Sequence, residues 1–187
     1  MDPEPSEKQI TSHYSEKIVD GNYELFQRFN KEYNKVYKSF IEIIKKNLEK
    51  DKKHMQGANL LDIGCFTGEF LYLANQEGSD VTGYELQKEA VEIANKKLPG
   101  KIHQTSVYND DIKPEQFDII TLFGVLEHVL EPLKLLKKIK SLLKKDGYLF
   151  IQTPNSGSAI SVIMGRSWPP ISPIEHIHLF SKNFLKK

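Results

Sequence analysis

A doubly wound α/β fold with a mainly parallel sheet is predicted by three observations in this 187-residue sequence. From residue 58 onward, short apolar runs alternate with amphipathic stretches. Turn residues and helix breakers punctuate that alternation, including Gly78, the Pro99-Gly100 pair and the Asp146-Gly147 pair. One run, IITLF at residues 119–123, reads as a strand buried on both faces. Strand and helix in alternation call for parallel strands joined by right-handed crossovers.

Taken in order, residues 1–20 carry two prolines in a polar, acidic stretch and are expected to be a flexible tail. Residues 21–52 form a helical segment: Phe26, Phe29, Tyr33, Val36, Tyr37, Phe40, Ile43, Ile44 and Leu48 recur at three- and four-residue spacing. That stripe predicts one long helix, or two, packed on the core or capping a cleft. Residues 53–187 form the α/β domain. Its expected strands are Ala58 to Ile63, Val81 to Tyr84, Ile102 to Val107, Asp118 to Phe123 and Tyr148 to Gln152. The expected helices are Gly68 to Gln76, Lys88 to Leu98, and a third that opens with Pro132 in its first turn and runs to Lys145.

Composition excludes several function classes. Lys plus Arg number 26 against 25 Asp plus Glu, so bulk charge does not hold this chain on nucleic acid or a membrane surface. No apolar run approaches membrane-spanning length, and the amino terminus lacks the basic-then-apolar order of a signal peptide. The single cysteine, Cys65, has no internal disulfide partner. A cytoplasmic protein is the expectation.

The stretch LLDIGCFTGEF, residues 60–70, sets the functional question. In an open parallel sheet, ligands bind beyond the carboxyl ends of the strands where strand order reverses, and Asp62, Gly64 and Gly68 fall at the end of the first strand. A dinucleotide turn would read G-x-G-x-x-G, with an acid about twenty residues on. Glu85 supplies that acid, but Phe66 and Glu69 occupy the second and third glycine positions. A carboxylate in the first turn of the helix also opposes a pyrophosphate at its positive end. A nicotinamide-dependent oxidoreductase is therefore the weaker reading.

The heptapeptide Asp62-Ile63-Gly64-Cys65-Phe66-Thr67-Gly68 resembles motif I, D-x-G-x-G-x-G, of the class I S-adenosylmethionine-dependent methyltransferases, with Phe66 in place of the middle glycine. The resemblance extends from Ala58 to about Phe184 and implies a Rossmann-like sheet. It also implies S-adenosyl-L-methionine as cofactor and S-adenosyl-L-homocysteine as product. It places Asp62, Gly64, Cys65, Phe66 and Gly68 in the cofactor turn, Glu85 on the ribose hydroxyls, Leu86 on the adenine, and Ser106 with Val107 at the adenine edge. Ser106 departs from the usual acid there; Asn109, Asp110 or Asp111 is the alternative. In FDIITLFGVLEHVLEP, residues 117–132, it implies Leu122, Phe123 and Gly124 on the cofactor side, with Glu127 and His128 toward the acceptor.

The segment from residue 154 to 178 resembles the G-x-x-W, P-x-E-H and H-L-F-S pattern of a subgroup linked to small molecules such as quinone precursors, sugars and polysaccharide precursors. By that resemblance Trp168 and Glu175 line the acceptor. His128 and His176 are the alternative bases for removing a hydroxyl proton, histidine being suited to this near neutral pH. No metal is assigned. The expected activity is in-line methyl transfer to a small-molecule hydroxyl, without a nucleic-acid partner or membrane insertion. A non-catalytic cofactor-binding or interaction module is the alternative. The family sheet has seven strands and this sequence accounts for five, so the last two are expected outside it. An uncovered fifth strand, carrying Leu149 and Ile151, would invite self-association.

Overall fold

A computed structural model describes residues 23–109, 111–171 and 176–185, with side chains from residue 34 onward. The first element is one uninterrupted helix, α1 (Tyr23–Lys50). Ile41, Ile44 and Leu48 of α1 are buried in the core, with Tyr37 and Phe40 packed beside them. Val36 and Ile43, included in the apolar stripe read from the sequence, are exposed instead. Each precedes a stripe position by one residue, which turns it about 100° around the helix axis. Ile41 takes the inward place.

The α/β elements follow in the order β1 (Asn59–Ile63), α2 (Glu69–Gln76), β2 (Asp80–Glu85), α3 (Lys88–Lys97), β3 (Ile102–Gln104), β4 (Phe117–Phe123), α4 (Pro132–Leu142) and β5 (Leu143–Gln152), alternating except between β3 and β4. Two short helices follow, α5 (Ala159–Met164) and α6 (Lys182–Leu185). The five strands among the described residues lie in the order β3-β2-β1-β4-β5, and every pairing is parallel. Consecutive residues of the central strands face opposite sides, as a two-residue period requires. Leu60 and Ile119 join α1, α2 and α3 in one core cluster. Leu61 and Ile120 join Leu135, Ile139 and Leu142 of α4 in the other. Helices thus cover both faces, which is the doubly wound, Rossmann-like arrangement.

Three boundaries differ from the sequence reading by more than one residue. β3 is only three residues long, because the backbone after Gln104 turns and Thr105 N–H bonds Glu85 O and His103 O. α4 stops at Leu142, short of Lys145. Asp146 and Gly147 lie inside β5 rather than in a turn before it: Phe117 pairs with Leu143 while Ile119 pairs with Tyr148, so β5 carries an irregular bulge. Gly147 permits that fold-back, since a Cβ there would sit 2.8 Å from Leu143 Cδ2 and 3.0 Å from the Lys144 carbonyl. Lys144 is held in the same bulge by Asp118 at 2.8 Å.

The sheet places the site. Its strand order runs outward from β1 through β2 to β3, then returns to put β4 on the other side of β1. The carboxyl ends of β1 and β4 therefore flank the point where order reverses, which is where doubly wound sheets form their ligand crevice.

Candidate active site

β1 delivers its glycine turn to that crevice. Gly64 has φ +71°, and its N–H donates to Tyr84 O at 2.8 Å. A Cβ at Gly64 would approach Val125 Cγ2 to 2.6 Å, so both backbone and space demand glycine. Gly68, at φ +75°, caps α2, and a Cβ there would lie 3.1 Å from Ala94 Cβ. Between them Phe66 holds φ +49°, the left-handed region that costs a side-chain-bearing residue about 1–2 kcal/mol. Its ring is exposed. We expect Phe66→Gly to be more stable than Phe66→Ala by about 1 kcal/mol, because both lose the ring and only glycine loses the strain. Urea denaturation of the two variants checks this; equal midpoints would place Phe66 in an ordinary conformation.

Asp62 is 4% exposed. Thr121, its partner on β4, donates its hydroxyl to Asp62 Oδ1 at 2.6 Å. Burial pushes the Asp62 carboxyl up to about 7, Thr121 pulls against that shift, and the nearby Glu85 charge adds to it. Cys65 is buried in the first core cluster, and burial drives its thiol far above the usual range.

Glu85, at the end of β2, ties two loops together, the glycine turn and the segment after β2. Oε1 accepts the N–H groups of Leu86 at 2.7 Å and Gln87 at 2.9 Å, and Oε2 accepts that of Phe66 at 3.0 Å. Leu86 beside it is 59% exposed, an apolar surface next to a carboxylate. Glu69 has a different setting from the one inferred from sequence. It is paired with Lys97 at the end of α3, where it braces α2 against α3. The objection to a pyrophosphate therefore rests on Phe66 rather than on a bare Glu69 charge.

Ser106 Oγ accepts Tyr108 N–H at 3.3 Å, and Val107 is buried in the second cluster. Asp110 lies outside the described residues. On β4, Leu122 is fully buried in the second cluster, and Phe123 packs on Phe40 and Phe70 with ring centroids 4.6 and 4.9 Å away. Gly124 follows with φ +68°, beside Glu127 Oε1 and Gln152 Oε1.

A 3-10 turn, Leu126–His128, carries Glu127 and His128, the groups expected from the sequence to face the acceptor. Glu127 is 2% exposed, and its Oε2 has no hydrogen-bond partner. The His128 and His176 rings lie 4.9 Å apart between centroids. His176 Nδ1 is 2.6 Å from Pro170 O; since a carbonyl only accepts, Nδ1 carries a proton, and in the neutral ring Nε2 is the nitrogen with the lone pair. His178 N–H bonds Glu127 O at 3.1 Å, which pins this loop to the 3-10 turn. The two histidines read from sequence as alternatives are thus neighbours. Trp168 is buried at the end of a second 3-10 turn, Gly165–Ser167, that follows α5. Glu175 lies outside the described residues.

Sequence reasoning missed Thr121, Val125 and Pro170. Thr121 left a signal, as the polar residue within IITLF; a buried hydroxyl needs a partner. Val125 and Pro170 left none.

A doubly wound sheet with a glycine turn and a strand-end carboxylate at the reversal point defines a Rossmann-like nucleoside-binding domain. A family model described as a methyltransferase domain matches residues 28–187, and the chain belongs to that family. It is a class I S-adenosylmethionine-dependent methyltransferase domain. Among curated relatives, the ubiquinone biosynthesis O-methyltransferase of Haemophilus ducreyi is 35% identical over 109 residues, 53% of this chain and 46% of that protein. The enzyme of that name from Actinobacillus pleuropneumoniae serotype 5b is 36% identical over 110 residues, 53% and 47% of the respective chains. The chain thus spans about half the length of the curated relatives it matches. A SAM-dependent methyltransferase from Archaeoglobus fulgidus superposes with TM-score 0.59 at 25% identity, covering 78% of this chain and 65% of that one. The plantazolicin methyltransferase BpumL, solved with a monoazolic desmethylPZN analog and SAH, gives TM-score 0.72 at 20% identity over 96% and 72%, a likeness of fold. No helix among the described residues is long and apolar enough to cross a membrane.

Proposed function

We propose that this chain carries the methyl-transfer site for a hydroxyl oxygen of a small molecule. One observation carries the reading: β2, which ends in Glu85, and β4, which leads into His128, flank β1 on opposite sides at the point where strand order reverses, and His128 meets His176 there. The names of the relatives that match half of the chain point to oxygen as the acceptor atom.

The residues present suit S-adenosylmethionine. Oε2 of Glu85 takes a single N–H and keeps lone-pair capacity for a ribose hydroxyl. Leu86 offers the exposed apolar surface an adenine needs. Gly64 and Gly68 let the backbone approach a ligand closely at the two ends of the turn. When bound, the cofactor supplies a methyl group on a cationic sulfur, activated for in-line displacement. The protein holds the acceptor oxygen on the methyl axis and removes its proton. His176 suits the second task, because Pro170 fixes its tautomer with Nε2 bare. His128, ring against ring with it, is placed to share the proton.

Methyl transfer from labelled S-adenosylmethionine to a panel of phenols, catechols and sugars tests this. Product on a phenol or catechol, abolished by His176→Gln, supports the reading. Tight S-adenosylhomocysteine binding without turnover on any acceptor would leave a cofactor-binding module instead.

The Asp62 setting adds a pH signature. A carboxyl raised to about 7 in the folded chain, against an ordinary value near 4, keeps its proton where the unfolded chain has lost it. Its contribution to stability is therefore fully present at low pH and falls as pH rises from about 4 to 7. A cationic ligand on the turn favours the ionised form, so affinity for S-adenosylmethionine is expected to rise between pH 6 and 8, by about tenfold at most per unit. Calorimetry across that range, in buffers of different ionisation enthalpy, should show proton release on binding. Asp62→Asn should flatten both trends; a slope that persists would locate the titrating group elsewhere.

A further inference from the structure

We propose that the Phe66 ring recognises the charge of the cofactor, contacting the sulfonium of S-adenosylmethionine and so favouring it over neutral S-adenosylhomocysteine. The chain departs from motif I at this residue, which stands where the motif carries its middle glycine. The backbone has not followed the departure: Phe66 holds φ +49° between Gly64 at +71° and Gly68 at +75°. The turn has kept a glycine's path and gained an aromatic ring. Phe66 is 39% exposed, so the core has not absorbed that ring.

Glu85 places Phe66 relative to a ligand. Phe66 N–H donates to Oε2 at 3.0 Å, whereas the N–H groups of Leu86 and Gln87 donate to Oε1 at 2.7 and 2.9 Å. One carboxylate is thus flanked by two exposed apolar residues, Leu86 on its Oε1 side and Phe66 on its Oε2 side. With adenine on Leu86 and the ribose hydroxyls on Glu85, the next group along the cofactor is the sulfonium, and Phe66 is the residue on that side. This order rests on the adenine and ribose contacts of the proposed methyl-transfer site.

The chemistry suits a cation. The face of an aromatic ring is the negative part of its quadrupole, which attracts a sulfonium and does little for a neutral thioether. A further carboxylate in this turn would be repelled by Glu85, whose charge already reaches Asp62. A ring draws in the cation without adding charge. Methyl transfer then removes the charge from sulfur, and the contact that favoured the incoming cofactor is lost to the product.

Calorimetry with S-adenosylmethionine and with S-adenosylhomocysteine, on the parent chain, Phe66→Leu, Phe66→Gly and Phe66→Tyr, tests this. The readout is the ratio of the two dissociation constants, S-adenosylhomocysteine over S-adenosylmethionine. Phe66→Leu keeps apolar bulk without the quadrupole and should lower the ratio about fivefold; Phe66→Tyr keeps the ring and should hold it within about twofold. Phe66→Gly, which this backbone favours, should lower the ratio as leucine does and serves if the leucine variant does not fold, as judged by circular dichroism. An unchanged ratio in the folded leucine or glycine variant, whether both affinities fall together or neither moves, overturns charge recognition by the ring. So does an equal fall in Phe66→Tyr. A folded parent chain that binds neither ligand would overturn the cofactor site as well, which a changed or unchanged ratio cannot do.

Discussion

Replacing Gly64 with alanine is expected to cost about 2–4 kcal/mol of folding stability and to abolish cofactor binding, the first part being a left-handed backbone charge of about 1–2 kcal/mol and the rest overpacking. Both terms come from the geometry of one residue. At φ +71° the added Cβ meets Val125 Cγ2 at 2.6 Å, and Val125 stands between the end of β4 and the turn that carries Glu127. Relief of the clash must move the glycine turn or this β4 segment, and the proposed ligand needs both. A double variant separates the terms: Val125→Ala in the Gly64→Ala background removes the clash and leaves the backbone strain, so it should recover only part of the loss. Urea midpoints and S-adenosylhomocysteine calorimetry are the measurements. A Gly64→Ala chain as stable as the parent would refute the turn geometry.

Loss of the Glu85 carboxylate is expected to weaken S-adenosylhomocysteine binding by about 100-fold or more, since a hydrogen bond to a charged group contributes roughly 1.5–3 kcal/mol and two ribose hydroxyls compete for it. The effect should exceed that of the ribose contact alone, because Glu85 also holds the Phe66, Leu86 and Gln87 amides in place. Stability should fall far less, by about 1 kcal/mol, as water can reach amides at this open edge. Glu85→Gln, which keeps one acceptor oxygen, should fall between the two. Calorimetry on Glu85→Ala and Glu85→Gln decides it, and parental affinity in Glu85→Ala would move the adenosine off β2.

Much of this arrangement was legible because it depends on local rules. The runs around Leu60, Val81 and Ile120 are strands buried between two layers, and burial on both faces leaves an apolar signature. Gly64 and Gly68 were legible for a related reason: a left-handed backbone selects glycine. What stayed hidden depends on register and on distance along the chain. Thr121 meets Asp62 only because β4 pairs with β1 in that register. Lys97 neutralises Glu69 across 28 residues of sequence. The bulge in β5 was misread because Asp146-Gly147 is turn chemistry wherever it occurs, and nothing local says that a strand runs through it. Histidines 128 and 176 were each visible, while their contact was not.

The position of β4 beside β1 also governs the order in which the molecule can come into being. β1, β2 and β3 follow one another closely in the chain and can associate as soon as they are made. β1 must then keep one edge open until a segment about sixty residues later arrives, since Leu60 pairs with Ile119. Closing so long a loop is slow and precedes any contact that rewards it. The crevice belongs to neither half, so it exists only after the last large step of assembly. A nucleoside seated there spans both halves, and it would hold closed the seam at which the sheet first comes apart.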